Sequence, residues 1–193
     1  LAIIIYFSSW LRTRNLDLLK DVTSGKYIPQ ALDPFVFMRY AQTILEKGSL
    51  PLVDYMRNVP FGLKVSSIDS FTSYFVVYLY KVMSLFSSNL TIEYAHVLYP
   101  VVAFAIGLIF FFLLVKEIFD WKVALISSFI LTVLPTFMYR TMAGFSDHDI
   151  LAMMFFFIVM YLFVLANKTK DVRRSLLIGA LAGIFTGFQG LSA

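Results

Sequence analysis

The sequence predicts an all-α fold, a polytopic membrane helical bundle, and three observations carry that prediction. Hydrophobic residues make up 60% of the chain and charged ones only 15%, with a mean hydropathy of +0.80, far more apolar than a water-soluble domain supports. The apolar residues are gathered into runs of the roughly 20 residues that a spanning helix needs. The charges lie between those runs. A net charge of +4 without a basic-aromatic patch gives no case for nucleic acid, and zero cysteines exclude disulfides, thiolate metal ligands and a cysteine nucleophile.

Taken in order, residues 1–11 read as the end of a first span that opens inside an apolar run, and the chain closes on GLSA with no polar tail. The sequence is therefore expected to be a piece of a longer one. Residues 12–94 read as a long first external loop carrying amphipathic helices. In its stretch ALDPFVFMRYAQTILEKGSLP, residues 31–51, Asp33 reads as an N-cap, Pro34 as the first helical residue and Gly48 as the stop. Phe37, Met38, Ala41, Ile44 and Leu45 form one apolar stripe, with Arg39, Gln42 and Glu46 opposite. Residues 68–86 are interrupted by Asp69, Ser70, Thr72, Ser73 and Lys81, which predicts a helix lying flat on the membrane rather than crossing it.

Clear spans follow at 95–117, 123–142, 150–167 and 175–193. Gly179, Gly183 and Gly187 in the last make a doubled GxxxG, which predicts close helix packing, while Met153 and Met154 read as ordinary lipid or core contacts. The connection Asn167–Arg174 holds Lys168, Lys170, Arg173 and Arg174 against one aspartate, so the positive-inside rule puts it in the cytoplasm together with Lys116–Lys122. Residues 143–150 then form a second external loop. The 12–67 segment carries eight basic and five acidic residues, but a loop that long weighs little under the rule.

The chemistry concentrates in RTMAGFSDHDI, Arg140 to Ile150. Asp147 and Asp149 project about 200° apart on a helix but to one side of an extended chain, so a joint role needs a loop. Two convergent carboxylates suit a hard divalent cation such as Mg²⁺ or Mn²⁺. The competing explanation is a capping box, Ser146-x-x-Asp149, before a helix starting near Ile150. Arg140 either snorkels to the headgroups or grips phosphate oxygens, and His148 reads as a spacer turned away from both acids. For Asp33, capping is a complete explanation from the residues alone.

Asp-Pro-aromatic opening an amphipathic helix, followed by Arg-Thr-Met-x-Gly-x-x-Asp-x-Asp, resembles the catalytic subunit of oligosaccharyltransferase, and the resemblance runs through the whole chain in the family's order. It implies a membrane glycosyltransferase, prokaryotic or archaeal in type, that moves a lipid-linked oligosaccharide from a polyprenyl phosphate or pyrophosphate to the asparagine amide of Asn-X-Ser/Thr in an acceptor protein. Asp33, Asp147 and Asp149 would then hold Mg²⁺ or Mn²⁺, with Asp33 brought beside the other two and also polarising the amide. Arg140 matches an active-site arginine that binds the lipid phosphate. At Asp149 some members carry histidine or glutamate. The resemblance also implies a non-spanning helix before the second span, further spans and a soluble domain beyond Ala193, and an active site outside the cell membrane, or in the endoplasmic reticulum lumen for a eukaryote.

The rival readings are a different polyprenyl-phosphate-sugar transferase and, from another class, a cation-coupled transporter. A transporter predicts ionisable residues near the bilayer midplane, and Gln189 is the only strongly polar candidate within the spans. Two sequons, Asn89-Leu90-Thr91 and Asn167-Lys168-Thr169, occur in the chain, and the topology puts only the first outside.

Overall fold

The computed structural model describes residues 1–87 and 89–192. Eight α-helices occur among them: α1 (Ala2–Arg12), α2 (Asp33–Lys47), α3 (Ser67–Ser84), α4 (Ile92–Ile118), α5 (Trp121–Val133), α6 (Pro135–Thr141), α7 (Asp149–Lys168) and α8 (Val172–Ser192). Two two-residue strands, Val53–Asp54 and Leu63–Lys64, pair antiparallel between α2 and α3 and are a small departure from an all-α chain. Ala193, the last residue of the expected 175–193 span, lies outside the described residues.

α4, α7 and α8 are each long and apolar enough to cross a membrane. The expected single span over 123–142 is broken: α5 and α6 meet at a 66° bend. Pro135 causes it, because proline lacks the N–H that continues a helix and forces the preceding residue out of the α region; Leu134 accordingly sits extended at φ −63, ψ 118. Aspartate side chains cap two of the helices. Asp120 Oδ1 accepts from the N–H groups of Lys122 and Val123 at 2.7 and 2.9 Å, and Asp171 Oδ1 from that of Arg174 at 2.8 Å.

α4 is the centre of the bundle, packing against α1, α3, α5 and α7, while α7 also packs against α8. Its apolar residues surround the axis, as suits a helix that faces protein on one side and membrane on the other: Tyr99, Ala103, Phe104 and Leu108 are buried with Leu151, Met154 and Ile158 of α7. A Cβ on Gly107 would lie 3.5 Å from Met154 Cα, so close approach falls there. It does not fall on the doubled GxxxG: a Cβ on Gly179, Gly183 or Gly187 would meet nothing within 4 Å.

Two sets of contacts sort the connections to opposite ends of the bundle. Lys168 Nζ lies 3.6 Å from Glu117 Oε1, joining the α4–α5 and α7–α8 turns. At the other end, the 142–148 loop bonds to the end of α1 and the start of α4: Ala143 N–H donates to Arg12 O at 2.9 Å, and Gly144 N–H to Val97 O at 2.8 Å. α3 stays at this end as well, with Phe71 stacked on Phe188 and tilted against Phe155, each at 5.8 Å, and Phe75 6.2 Å from Tyr99.

α2 keeps the predicted stop, with Gly48 left-handed at φ 82 and its N–H bonded to Ile44 O. Its buried face is Phe37, Tyr40, Ala41 and Ile44, so Tyr40 takes the place expected for Leu45, which is 40% exposed. Arg39 donates to both Asp54 oxygens and Tyr40 Oη donates to Asp54 at 2.8 Å, which fastens the hairpin to α2. The Arg39 guanidinium holds the Asp54 carboxyl well below the usual carboxylate range.

A fully buried guanidinium braces the bend. Arg12 donates to Thr132 O at 3.1 Å, Thr141 Oγ1 at 2.7 Å and Ser8 Oγ at 3.0 Å, with Cζ 3.7 Å over the Phe104 ring. Arg12→Ala leaves the freed carbonyl of Thr132 unsatisfied and is expected to destabilise the detergent-solubilised full-length protein by about 2–3 kcal/mol. Arg12→Lys, which cannot fork to three partners, should fall between Ala and wild type in unfolding midpoint.

Candidate active site

The loop between α6 and α7 is built on backbone groups that a second proline frees. Pro100, inside α4, has no N–H to give to the carbonyl four residues back, which is that of His96. Ser146 Oγ donates to that carbonyl at 2.8 Å. Ser146 is fully buried in doing so and caps nothing, which overturns the capping-box expectation. Gly144, at φ +87, turns the chain so that its N–H reaches Val97 O while its carbonyl accepts from Gln30 N–H at 2.9 Å. Asn15 Nδ2 donates to Ala143 O at 2.7 Å, and Tyr99 Oη donates to Asp147 O. Three separate parts of the chain therefore grip seven residues.

That grip presents the acidic triplet. Asp147 is in the loop and Asp149 is the first residue of α7, with His148 between them at φ −65, ψ −26. The triplet is thus turned, not extended, and His148 is not the outward spacer predicted for it. Its Nδ1 lies 2.7 Å from Asp147 Oδ1 and its Nε2 3.6 Å from Asp149 Oδ1. The first contact is off the ring N–H direction and is not an aligned hydrogen bond. Backbone alignment is supplied instead by His148 N–H, which donates to Asp147 Oδ1 at 2.8 Å. Arg140, one turn before the loop, places Nη1 3.1 Å from Asp149 Oδ2 and 3.8 Å from Asp147 Oδ2. Its guanidinium is half exposed, as is Asp149, whereas the Asp147 side chain is 14% exposed.

Asp33 is the first residue of α2 rather than its cap; Leu32 holds the cap position and makes no side-chain bond there. The Asp33 side chain is exposed and faces a cavity of about 250 Å³ shared with Arg57, Asp69, Phe37 and His148. His148 also borders a second cavity of about 460 Å³, lined by Arg140, Asp149, Phe137 and Met153. The histidine that sequence reasoning set aside is the wall between the two. Among the described residues no three His, Asp or Glu side chains stand together as a metal cluster. The donors are nevertheless of the right kind for a hard cation, carboxylate oxygens with an imidazole beside them, around one wall.

The N-terminal model of the oligosaccharyl transferase STT3 matches residues 2–188. The chain belongs to the STT3 oligosaccharyltransferase family. Within it, the chain is 28% identical over 151 residues to the dolichyl-phosphooligosaccharide-protein glycotransferase 2 of Archaeoglobus fulgidus, covering 78% of this chain and 24% of that protein. Glycotransferase 1 of the same organism matches at 28% over 160 residues, 82% of this chain and 26% of its own length. The chain thus spans about a quarter of each relative. Among solved structures, the archaeal oligosaccharyltransferase AglB from A. fulgidus, in complex with an inhibitory peptide and a dolichol-phosphate, superposes with a TM-score of 0.81 over 99% of this chain and 23% of that one, at 23% identity. An A. fulgidus oligosaccharyltransferase in complex with Zn and sulfate gives 0.78 over 98% of this chain and 25% of that one, at 21% identity. These likenesses show the fold, that of a multi-pass STT3 membrane domain.

Besides His148, the residues missed in the sequence are Arg12, Tyr99 and His96. The signal for His96 is its place in the 95–117 run, where an imidazole is as unusual as Gln189; it is fully buried in the second turn of α4, beside the Pro34 carbonyl. The loop itself is testable at Gly144, where a Cβ would meet Leu19 Cδ1 at 2.7 Å, whereas at Gly25, also of positive φ, it would meet nothing within 4 Å. Gly25→Ala should lose only the left-handed strain, about 1–2 kcal/mol. Gly144→Ala should lose clearly more in unfolding midpoint, since the loop must also move off Leu19.

Proposed function

We propose that this STT3 chain carries the donor-side acids of an enzyme that transfers a lipid-linked oligosaccharide to the asparagine amide of Asn-X-Ser/Thr in proteins. The observation that carries the reading is the arrangement around His148. On one side lies a mainly apolar cavity edged by Arg140 and Asp149, on the other a cavity of mixed polarity with Asp33. Phe137 and Met153 suit an isoprenoid stem, and Arg140 a phosphate, whose oxygens match the guanidinium fork. The relatives named above include one bound to dolichol-phosphate, and a structure of an A. fulgidus oligosaccharyltransferase is tethered to an acceptor peptide containing an NVT sequon, which supports both ligand classes here.

Parity and the positive-inside rule together support one membrane orientation. Arg12 and the start of α4 share an end of the bundle, so the chain crosses an even number of times between them; α3 is the one helix of that stretch with 18 residues, and a single helix makes an odd crossing. α3 therefore lies along the surface. The lysine- and arginine-bearing turns sit at the opposite, cytoplasmic end, and the acids face outward from the cell membrane.

Asp147 and Asp149, with Asp33 approaching across the cavity, would hold a divalent cation, for which Mg²⁺ or Mn²⁺ fits the oxygen donors and whose chemistry is Lewis-acid neutralisation of the departing phosphate. A Zn-bound relative supports a metal in this fold. Arg140 exchanges its contacts with the two aspartates for phosphate oxygens when the donor enters. Asp33 accepts a hydrogen bond from the acceptor amide N–H and turns the nitrogen toward the sugar carbon. His148 lines both cavities and lies against both aspartates, which orders them beside the donor phosphate.

Asparagine at Asp147 or Asp33 keeps size and hydrogen bonding while removing charge. In the full-length protein, Asp147→Asn and Asp33→Asn should insert and fold normally yet transfer oligosaccharide to an acceptor peptide on the order of 10²–10³ more slowly, with partial rescue by excess Mn²⁺. Asp149→His should be milder than Asp149→Ala, because imidazole still ligates Mn²⁺. Near-normal transfer by both asparagine variants at limiting metal would leave these acids as structural groups only.

A further inference from the structure

The two sequons of the chain sit in opposite circumstances. Asn167 belongs to the last turn of α7, where its Nδ2 donates to Phe163 O at 2.8 Å, and Thr169 Oγ1 donates to Leu165 O at 2.7 Å. Both groups that a transferase must engage are tied to the helix, at the end marked by the Lys168–Glu117 pair. Asn89 lies instead in the connection between α3 and α4, exposed, and among the described residues its amide has no hydrogen-bond partner. Thr91 is exposed with extended backbone, φ −109, ψ 158; its Oγ1 accepts from Tyr94 N–H at 3.2 Å and its hydroxyl lies beside Glu93, and among the described residues no backbone carbonyl of a helix holds it. This connection adjoins the start of α4, at the end of the bundle where the 142–148 loop is bound.

A groove of about 310 Å³ runs beside Asn89, walled by Tyr27 and Tyr94, whose rings tilt against each other at a centroid distance of 5.1 Å. Tyrosine offers an apolar ring face with a polar tip, a surface that the C–H face of a sugar ring can cover while the hydroxyls at its edge stay solvated.

We propose that Asn89 is itself a glycosylation acceptor, carrying an N-linked oligosaccharide whose first sugar rests against Tyr27 and Tyr94, while Asn167 stays bare. The inference rests on the membrane orientation argued above. In the transfer, the Asn89 amide nitrogen bonds to C1 of the first sugar as the C1–O bond to the carrier phosphate breaks. The electron pair of that bond leaves with the phosphate, and one amide proton passes to a carboxylate of the transferring enzyme and on to water. The donor is the polyprenyl-linked oligosaccharide, and any copy of the transferase in the same membrane performs the step, so catalysis by the modified chain itself is not required.

The test is mass spectrometry of peptides from the full-length protein, made in archaeal cells in which a secreted Asn-X-Thr reporter is already shown to carry oligosaccharide. The expected result is a mass increment of one oligosaccharide on the Asn89 peptide in most copies and none on the Asn167 peptide. Asn89→Gln should abolish the increment, and Thr91→Ser should retain it. Thr91→Asp keeps a helix-capping side chain but removes the sequon, and should abolish it without loss of folded protein. Bare Asn89 in wild type, or oligosaccharide on Asn167, would overturn the proposal. Because the host transferase does the work, an Asp147→Asn chain should still be modified at Asn89, which separates this result from the assay of the chain's own activity.

Discussion

Two prolines free the backbone carbonyls on which the site is hung. In an interior without water every such carbonyl needs a donor, and both donors found here belong to the site's own support. Pro100 leaves the His96 carbonyl to Ser146 Oγ, and the Pro135 break leaves the Thr132 carbonyl to Arg12. Arg12 then bonds Thr141, next to Arg140, and its own carbonyl takes Ala143 N–H. One chain of bonds thus runs from the bend through the arginine to the loop that presents Asp147.

Burying a guanidinium with no carboxylate against it among the described residues is costly in hydrocarbon. Three acceptors and the face of Phe104 offset that cost, and the return is a rigid break at a fixed place. The site needs such rigidity because its acids come from remote stretches, Asp33 from the start of α2 and Asp147 from the far side of α4. His148 links them, its ring lying against both aspartates of its own triplet and 6.1 Å edge-on from Phe37, one turn after Asp33.

What could be read in the sequence divides by range. The apolar runs over α4, α7 and α8 and Gly48 as a stop depend on residues within a turn or two of each other, and they stand in the structure as expected; the acidic triplet is turned where a joint role called for extended chain. The bend at Pro135 was visible as a proline inside a run, yet the run's hydropathy outweighs one residue in any window average. The capping expectations for Ser146 and Asp33 failed because local pattern cannot show that Ser146 has a better acceptor, fifty positions away at His96. His148 is the same case: alternation predicts where a side chain points on a straight chain, and the loop's grip by α1 and α4 makes the chain turn. The GxxxG expectation named a motif that permits close packing, while the close approach in this bundle falls on the lone Gly107.

The central claim is that the segment bearing Asp33 and the loop bearing Asp147 meet on one face of the membrane. A chain with no cysteine of its own allows that to be measured directly, with single cysteines at Ser24, Ser49, Asp149, Lys122 and Lys170 and a thiol reagent that cannot cross the bilayer. Applied from outside, it should label Ser24→Cys, Ser49→Cys and Asp149→Cys in intact cells and spare Lys122→Cys and Lys170→Cys until the membrane is opened. Labelling of Asp149→Cys from one side and Ser24→Cys or Ser49→Cys only from the other would put the acids on opposite faces, and the shared site could not exist.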